Sequence, residues 1–509
     1  MRKTALAAVT ILLSASLLSP TQASAVDHVD TKKLRNAVTV SGILQHEQAF
    51  QSIANQNGGT RASGTAGYDA SADYVVRKLR QAGYKVKSQE FTFPFFQELA
   101  PAELSEVSPT PKPIETSIMT YSGSGDITGP LVPTNDIVIP PTPEPSSTSG
   151  CEASDFPAPP AANSIALIQR GTCNFEDKVA NATEAGYAAA VIFNEGQPGR
   201  QELLQGTLGT PQTIPAVGIS FADGEALYNR ITGGATVIAR VITSTESENR
   251  QTVNVIADSP EGKIEGQTIV VGAHLDSVTE GPGINDNGSG SATILEIAEQ
   301  LAALKYTNKL QRQVRFAFWG AEEFNLLGSQ HYVDSLSETQ LTKIYANLNF
   351  DMVGSPNYVR FVYDGDGSDT PTAGPLGSAA IEDVFNKYFA NQGLASEPTA
   401  FDGRSDYGPF IAVGIPAGGL FSGAEGIKTP QQAAVYGGTA GAAYDPCYHQ
   451  ACDTITNLSS NALFELGDAA AHATLTLALS KSGLFPDGSR QAQVKVTGKP
   501  ARSGPLLVS

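Results

Sequence analysis

Acidic residues and histidine gather where the apolar runs of this chain stop. TIVVGAHLD closes on His274 and Asp276, the GPGINDNGSG behind it carries Asp286, VRFAFWGAEE closes on Glu322 and Glu323, and IYANLNFDM carries Asp351. Carboxylates drawn together at strand ends repel one another and are costly to bury, so the pattern asks for something positive between them. One or two divalent metal ions are the simplest neutraliser. A further imidazole, His449, lies in DPCYHQACDT, where Cys447 and Cys452 can staple a short loop around it. Imidazole and carboxylate donors without thiolate suit zinc, and less selectively cobalt or manganese. Two ions would need a bridging carboxylate; Asp286 could bridge, because its Gly/Asn loop lets backbone come close to the metals. Of the adjacent glutamates, one can ligate while the other stays free as a general base. Taken singly these motifs are ordinary turns and helix starts, and it is their joint order at successive strand ends that carries the reading. His28, His46, His331 and His472 read as structural or exposed.

The elements that must present these residues alternate steadily from residue 250 onward. TVNVIAD, TIVVGAHLD, VRFAFWGAE, IYANLNFDMVG and YVRFVYDG read as strands. SATILEIAEQLAAL, GPLGSAAIEDVFNKYFANQG and SSNALFELGDAAAHATLTLALSK read as helices, with Ile294, Ile297, Ala298, Leu301 and Leu304 on one face of the first. The alternation predicts an α/β domain, a mixed, mostly parallel sheet flanked by helices, with ligands beyond the carboxyl ends of the strands. Residues 26–109 add two helical patterns, the second with Ala72, Val75, Val76, Leu79 and Ala82 on one face, and then the alternating KVKSQEFTF. The Pro-, Ser- and Thr-rich stretch over 106–165 reads as loops and a domain boundary. A βαβ-like unit follows in SIALIQRG, FEDKVANATEAG and AAAVIFNEG, with short strands in IPAVGIS and TVIARVIT, so 110–247 reads as an inserted domain. Residues 248–485 resume the first domain, and 486–509 form a polar tail.

A formal net charge of −18 argues against nucleic acid and anionic membrane surfaces as partners. Arg2 and Lys3, the apolar ALAAVTILLSASLL and the small residues at 23–25 predict a secretory signal over 1–25, and no apolar run approaches the length of a membrane span. An exported chain with four cysteines predicts disulfides, and proximity favours Cys151–Cys173 and Cys447–Cys452 over the other two connectivities. Three N-glycosylation sequons occur, at Asn181, Asn287 and Asn457, and use of Asn287 would block the proposed bridge.

GAHLDS, GINDNGSG, WGAEEFNLLGS, NFDMVG, FDGRSDYGPF and YHQACDT stand in the order found in the co-catalytic dizinc aminopeptidases. Over about 250–485 the chain resembles the aminopeptidase Y and bacterial leucine aminopeptidase group, whose N-terminal stretch is matched by NGGTRASGTAGYDASADYV. IALIQRGTCNFEDKVANATEAGYAAAVIFNEG resembles a protease-associated domain, which implies a β-rich α+β insert. The resemblance implies two zinc ions, one on His274 and Asp351, the other on Glu323 and His449, with Asp286 between them. It makes Glu322 the general base and Tyr448 the phenol that steadies the tetrahedral oxyanion. Asp276 would fix the tautomer of His274. Arg404 would contact substrate, its alternative being an ion pair with Asp402 or Asp406. The implied activity is hydrolysis of the N-terminal peptide bond of peptides or proteins, with large apolar residues such as Leu preferred, by a secreted monomer. The protease-associated insert is expected to serve as a lid or a protein contact.

Other branches share such a metal core. A carboxypeptidase needs a cationic pocket for its substrate's carboxylate, and no arginine cluster beyond Arg404 lies near the motifs. The related glutamate carboxypeptidases also follow a longer plan with an extra helical domain, and a glutaminyl cyclase branch exists. A secreted binding protein with structural metals would have no use for a free base such as Glu322 beside a ligand.

Overall fold

Two long strands run side by side through the molecule. Lys85–Ser108 and Ile238–Asp258 pair antiparallel, with Lys85 opposite Asp258 at one end and Ser108 opposite Ile238 at the other. The computed structural model describes residues 26–485, so the expected signal at 1–25 and tail at 486–509 lie outside the described residues. Within them a single 14-stranded sheet forms, and Ile238–Asp258 belongs to both of its halves. Its first residues pair with Gly125–Pro133 and its last with Gln313–Trp319, antiparallel in each case.

The larger half runs in the order Glu397–Thr399, Phe361–Tyr363, Ala417–Phe421, Ile344–Phe350, Thr268–His274, Gln313–Trp319. Thr268–His274 has parallel neighbours on both sides and every residue buried, which is why it reads as a continuous apolar run. Ile269, Val271 and Ala273 enter the main core with the helices Val40–Gln56, Ala66–Gln81, Gly290–Ala303 and Ser460–Leu479. Val270, Ala317 and Trp319 point the other way, onto Tyr332, Val333 and Phe410 of Leu327–Asp334 and Tyr407–Ala412. Helices therefore cover both faces, as the alternation predicts. Ala66–Gln81 is set by local chemistry: the Thr65 hydroxyl accepts from the Tyr68 N–H, Ala72, Val75, Val76 and Leu79 are buried, and Gly83 follows the end at φ +90°.

The smaller half is built on the parallel run Gly125–Pro133, Ile165–Gln169, Ala189–Phe193, Ala216–Ile219. It has a core on each face, Ile165 and Leu167 in one, Ala166 and Ile168 in the other. Here the structure corrects the sequence expectation. Gly125–Pro133 lies inside the stretch expected to be loop, because Ile127 and Leu131 pack into the insert's core and the backbone pairs on both sides. Helix Phe221–Thr232 was not expected. The strand expected in KVKSQEFTF runs on to Ser108, and Ile238–Asp258 passes straight through residue 247, held by long-range pairing that local pattern does not show. Among the described residues no helix is long and apolar enough to cross a membrane.

Candidate active site

Thr268–His274, Gln313–Trp319 and Ile344–Phe350 are mutually parallel, so the residues that follow them emerge at the same edge. His274, Asp286, Glu322, Glu323, Asp351, Tyr448, His449 and Arg404 line one pocket there. His274 Nε2 stands 3.2 Å from Asp351 Oδ1, 3.3 Å from Asp286 Oδ1 and 3.9 Å from Glu322 Oε2. His449 Nε2 stands 3.2 Å from Asp286 Oδ2 and 3.1 Å from Glu323 Oε2. Asp286 thus turns one carboxylate oxygen to each imidazole.

The loop that carries Asp286 is fixed from several sides. The Asp453 carboxylate accepts the N–H of Asn285 at 2.9 Å and of Asp286 at 3.0 Å. The Asn287 side chain donates to the Phe350 carbonyl and accepts the N–H groups of Gly290 and Met352, tying this loop to the one after Asp351. Gly283, at φ +58°, has no room for a side chain: a Cβ would meet the Asp286 carbonyl at 2.3 Å. Arg61, fully buried, donates to the carbonyls of Leu275, Pro282 and Gly283, joining the exit of the His274 strand to the Asp286 loop.

The remaining candidates each have a support. Ser405 donates to Asp351 Oδ2 at 2.6 Å, which leaves Oδ1 facing His274. His449 sits at φ +56° in the loop closed by Cys447–Cys452, and its ring stacks on Tyr448 with 3.9 Å between centroids. Cys151 pairs with Cys173, so both expected disulfides are present. Asp276 is buried with Oδ1 3.6 Å from His274 Nδ1; the nearer oxygen is its own carbonyl at 3.2 Å, and the carboxylate accepts from the Glu322 N–H at 3.3 Å. The ion pair considered for Arg404 with Asp402 or Asp406 does not form. Its guanidinium reaches across the pocket mouth to Glu425 at 2.7 Å and donates to the Tyr448 hydroxyl at 3.2 Å, while Asp402 accepts the Arg404 backbone N–H and the Tyr407 hydroxyl. Of the sequon residues, Asn287 and Asn457 are buried with their amide nitrogens engaged by the fold.

The charge balance of this pocket calls for a cation. Burial pushes the Glu322 carboxyl well above its ordinary range, and burial together with the Asp286 charge pushes Glu323 up to about 7. Burial alone would depress His449, but the Glu323 charge and hydrogen bonding to Asp286 overcome it and carry the imidazole up to about 11. Glu323 Oε1 and Asp276 Oδ2 are buried with no hydrogen-bond partner. Donor atoms of His274, Asp286 and Glu323 lie within 4.8 Å of one another, as do those of His274, Glu322 and Asp351. Imidazole and carboxylate donors in such a cluster fit zinc.

Residues 254–474 match Peptidase family M28, and residues 127–227 match the PA domain. The chain is 46% identical over 454 residues to an aminopeptidase of Pseudomonas aeruginosa, covering 88% of this chain and 82% of that one. The chain belongs to peptidase family M28. As a member of M28 it is a zinc metallo-aminopeptidase with an inserted PA domain, a hydrolase that removes N-terminal residues from peptides. It is also 40% identical over 463 residues to leucine aminopeptidase 2 of Arthroderma otae, covering 90% of this chain and 88% of that one. A zinc aminopeptidase from Bacillus subtilis shares the M28 fold at a TM-score of 0.55 and 27% identity, over 86% of this chain and 94% of that one.

Sequence reasoning missed Arg61, Ser405 and Asp453, although they stand in GGTRASG, DGRSDYG and YHQACDT, stretches it had already singled out. None has a side chain that advertises metal or proton chemistry at its position; each acts by holding another residue.

Proposed function

We propose that this M28 member is a secreted, monomeric aminopeptidase that uses two zinc ions and prefers large apolar N-terminal residues. The observation that carries the two-ion reading is Asp286, with one oxygen 3.3 Å from His274 Nε2 and the other 3.2 Å from His449 Nε2. In this reading His274 and Asp351 would hold one ion and Glu323 and His449 the other, with a carboxylate oxygen of Asp286 available to each. Bound zinc would supply a Lewis acid for the scissile carbonyl and make water at the site more acidic. Glu322 takes the proton of the attacking water and returns it to the leaving amine, a task suited to a carboxyl raised by burial. The Tyr448 hydroxyl donates to the oxyanion, and Asp276 and Ser405 hold His274 and Asp351 in place.

Two features favour a free amine over a free carboxylate as the recognised end. Acidic side chains crowd the pocket, and the lone arginine at its mouth, Arg404, already spends its charge on Glu425. Met352, Tyr363, Ala400, Phe421 and Ala424 line the same pocket and offer an apolar wall to a Leu-like side chain. The separate cores support a catalytic domain assembled from 26–109 and 248–485, with the protease-associated domain at 110–247 assigned to lid or protein contacts. The basic, apolar start of the chain and the two disulfides support export.

Hydrolysis of leucine p-nitroanilide beside its N-acetylated twin tests the assignment, before and after chelation and zinc addition. Cleavage of the free-amine substrate alone, lost on chelation and restored by zinc, is expected. Loss of the C-terminal residue from an N-blocked peptide would instead place the chain with the carboxypeptidases. Two zinc ions per catalytic pocket and a monomer mass in sedimentation complete the reading.

A further inference from the structure

Away from the catalytic pocket, a third histidine stands among carboxylates. His46 projects from Val40–Gln56, and Glu296 and Glu299 lie three apart on Gly290–Ala303, the helix directly behind the Asp286 loop. His46 is 1% exposed and Glu296 4%. The His46 Nδ1 meets the Tyr74 hydroxyl at 2.7 Å, whereas the buried Nε2 makes no hydrogen bond and points at both glutamates, 3.6 Å from Glu296 Oε2 and 3.5 Å from Glu299 Oε2. Gly42 leaves the room for this approach, since a Cβ there would fall 2.2 Å from Glu296 Oε1.

The spacing is that of donors around a shared centre. Lys78 Nζ pairs directly with Glu299 Oε1 at 2.8 Å, the distance to which N⁺–H···O⁻ contacts generally close, about 2.7–2.9 Å. Donors at zinc bond lengths in a tetrahedral shell stand roughly 3.3–3.4 Å apart. His274 and His449 keep 3.1–3.3 Å to the carboxylates assigned to their metals. The Tyr74 hydroxyl can accept the Nδ1 proton, and in that tautomer Nε2 carries a free lone pair, the arrangement of a ligating histidine. Lys78 occupies Glu299 Oε1 and offsets one carboxylate charge, leaving Oε2 of both glutamates toward His46.

We propose that His46, Glu296 and Glu299 form an additional binding site for one divalent cation of the zinc class, with water completing the shell. Its place between Val40–Gln56 and Gly290–Ala303 makes it a structural clamp on the helix that anchors the Asp286 loop. The competing occupant is a proton, with His46 an imidazolium held by the two carboxylates.

Zinc content decides between them. The full chain is saturated with zinc, freed of excess by gel filtration in metal-free buffer, and measured by elemental analysis beside His46→Gln and Glu299→Gln. Each variant is expected to hold one zinc fewer than the wild type, to keep kcat/KM on leucine p-nitroanilide, and to lose part of the rise in Tm that added zinc gives the wild type. Glu299, 22% exposed, keeps the test open if His46→Gln fails to fold. Equal zinc content in wild type and Glu299→Gln overturns the proposal in favour of the imidazolium. The readout is a difference, so a catalytic pocket that binds one ion instead of two changes both totals and leaves the difference intact.

Discussion

Glu322 and Glu323 are neighbours in sequence with opposite assignments, so single substitutions separate them sharply. Glu322→Gln keeps the shape and removes the carboxylate proposed as the base; kcat is expected to fall by about 10²–10⁴-fold with zinc content unchanged. A fall in zinc content with it would make Glu322 a ligand instead. Tyr448→Phe is expected to lower kcat by roughly a hundredfold with little change in KM, the pattern of a donor used in the transition state. Arg61→Met removes the donor to the carbonyls of Leu275, Pro282 and Gly283 and strips the buried Glu47 of the charge that offsets it. The expected cost is about 3–5 kcal/mol in urea unfolding. At this scale the sequence showed residues whose side chains can do chemistry in their own right, such as His274, Asp286 and His449. It did not show Ser405 or Asp453, because a serine or aspartate that orients a ligand is chemically ordinary until its partner is known to lie 2.6 or 3.0 Å away.

Among the elements, the loop closed by Cys447–Cys452 is the one whose integrity should matter most to the metal. Its sequence separation of 5 makes it a small contributor to global stability, about 2 kcal/mol in the chain-entropy estimate. It nevertheless fixes His449, at φ +56°, against Asp286 and Glu323. The Cys447→Ser, Cys452→Ser double variant is therefore expected to lose activity at limiting zinc and regain most of it at excess zinc, in a zinc titration of kcat. Activity lost equally at all zinc concentrations would mean the disulfide shapes the substrate pocket rather than the ligand. The continuous apolar run Thr268–His274 and the periodic helix Gly290–Ala303 were readable from pattern alone. The long ribbon and Gly125–Pro133 were not, since a Gly- and Pro-containing segment becomes a strand only through the partners on either side of it.

For the molecule as a whole, acid should find a specific weak point. Burial, helped by the Arg35 charge, pushes His472 down to about 4, where it stacks on Tyr388 and meets Thr31. The unfolded chain takes up that proton near its ordinary 6.5, so the stability tied to neutral His472 is present above 6.5 and is lost as pH falls through about 4. Allowing for its partial exposure, the loss is at most about 2 kcal/mol. His472→Gln should flatten the fall in urea midpoint between these pH values; an unchanged slope would assign acid lability elsewhere.

Sequence alone determined the α/β character and the residue types of a metal centre, and it favoured the cysteine pairing that the structure shows, because each rests on local periodicity, proximity or intrinsic side-chain chemistry. Tertiary structure alone decided which residues meet. Parallel strand ends bring His274, Glu322 and Asp351 to one edge from positions far apart in the chain, Asp286 turns one oxygen to each imidazole, and Arg404 chooses Glu425 over its sequence neighbours. The physical reason is common to all three. Distance along the chain sets what a residue can pair with locally, whereas a sheet with parallel crossovers sets what it finally faces.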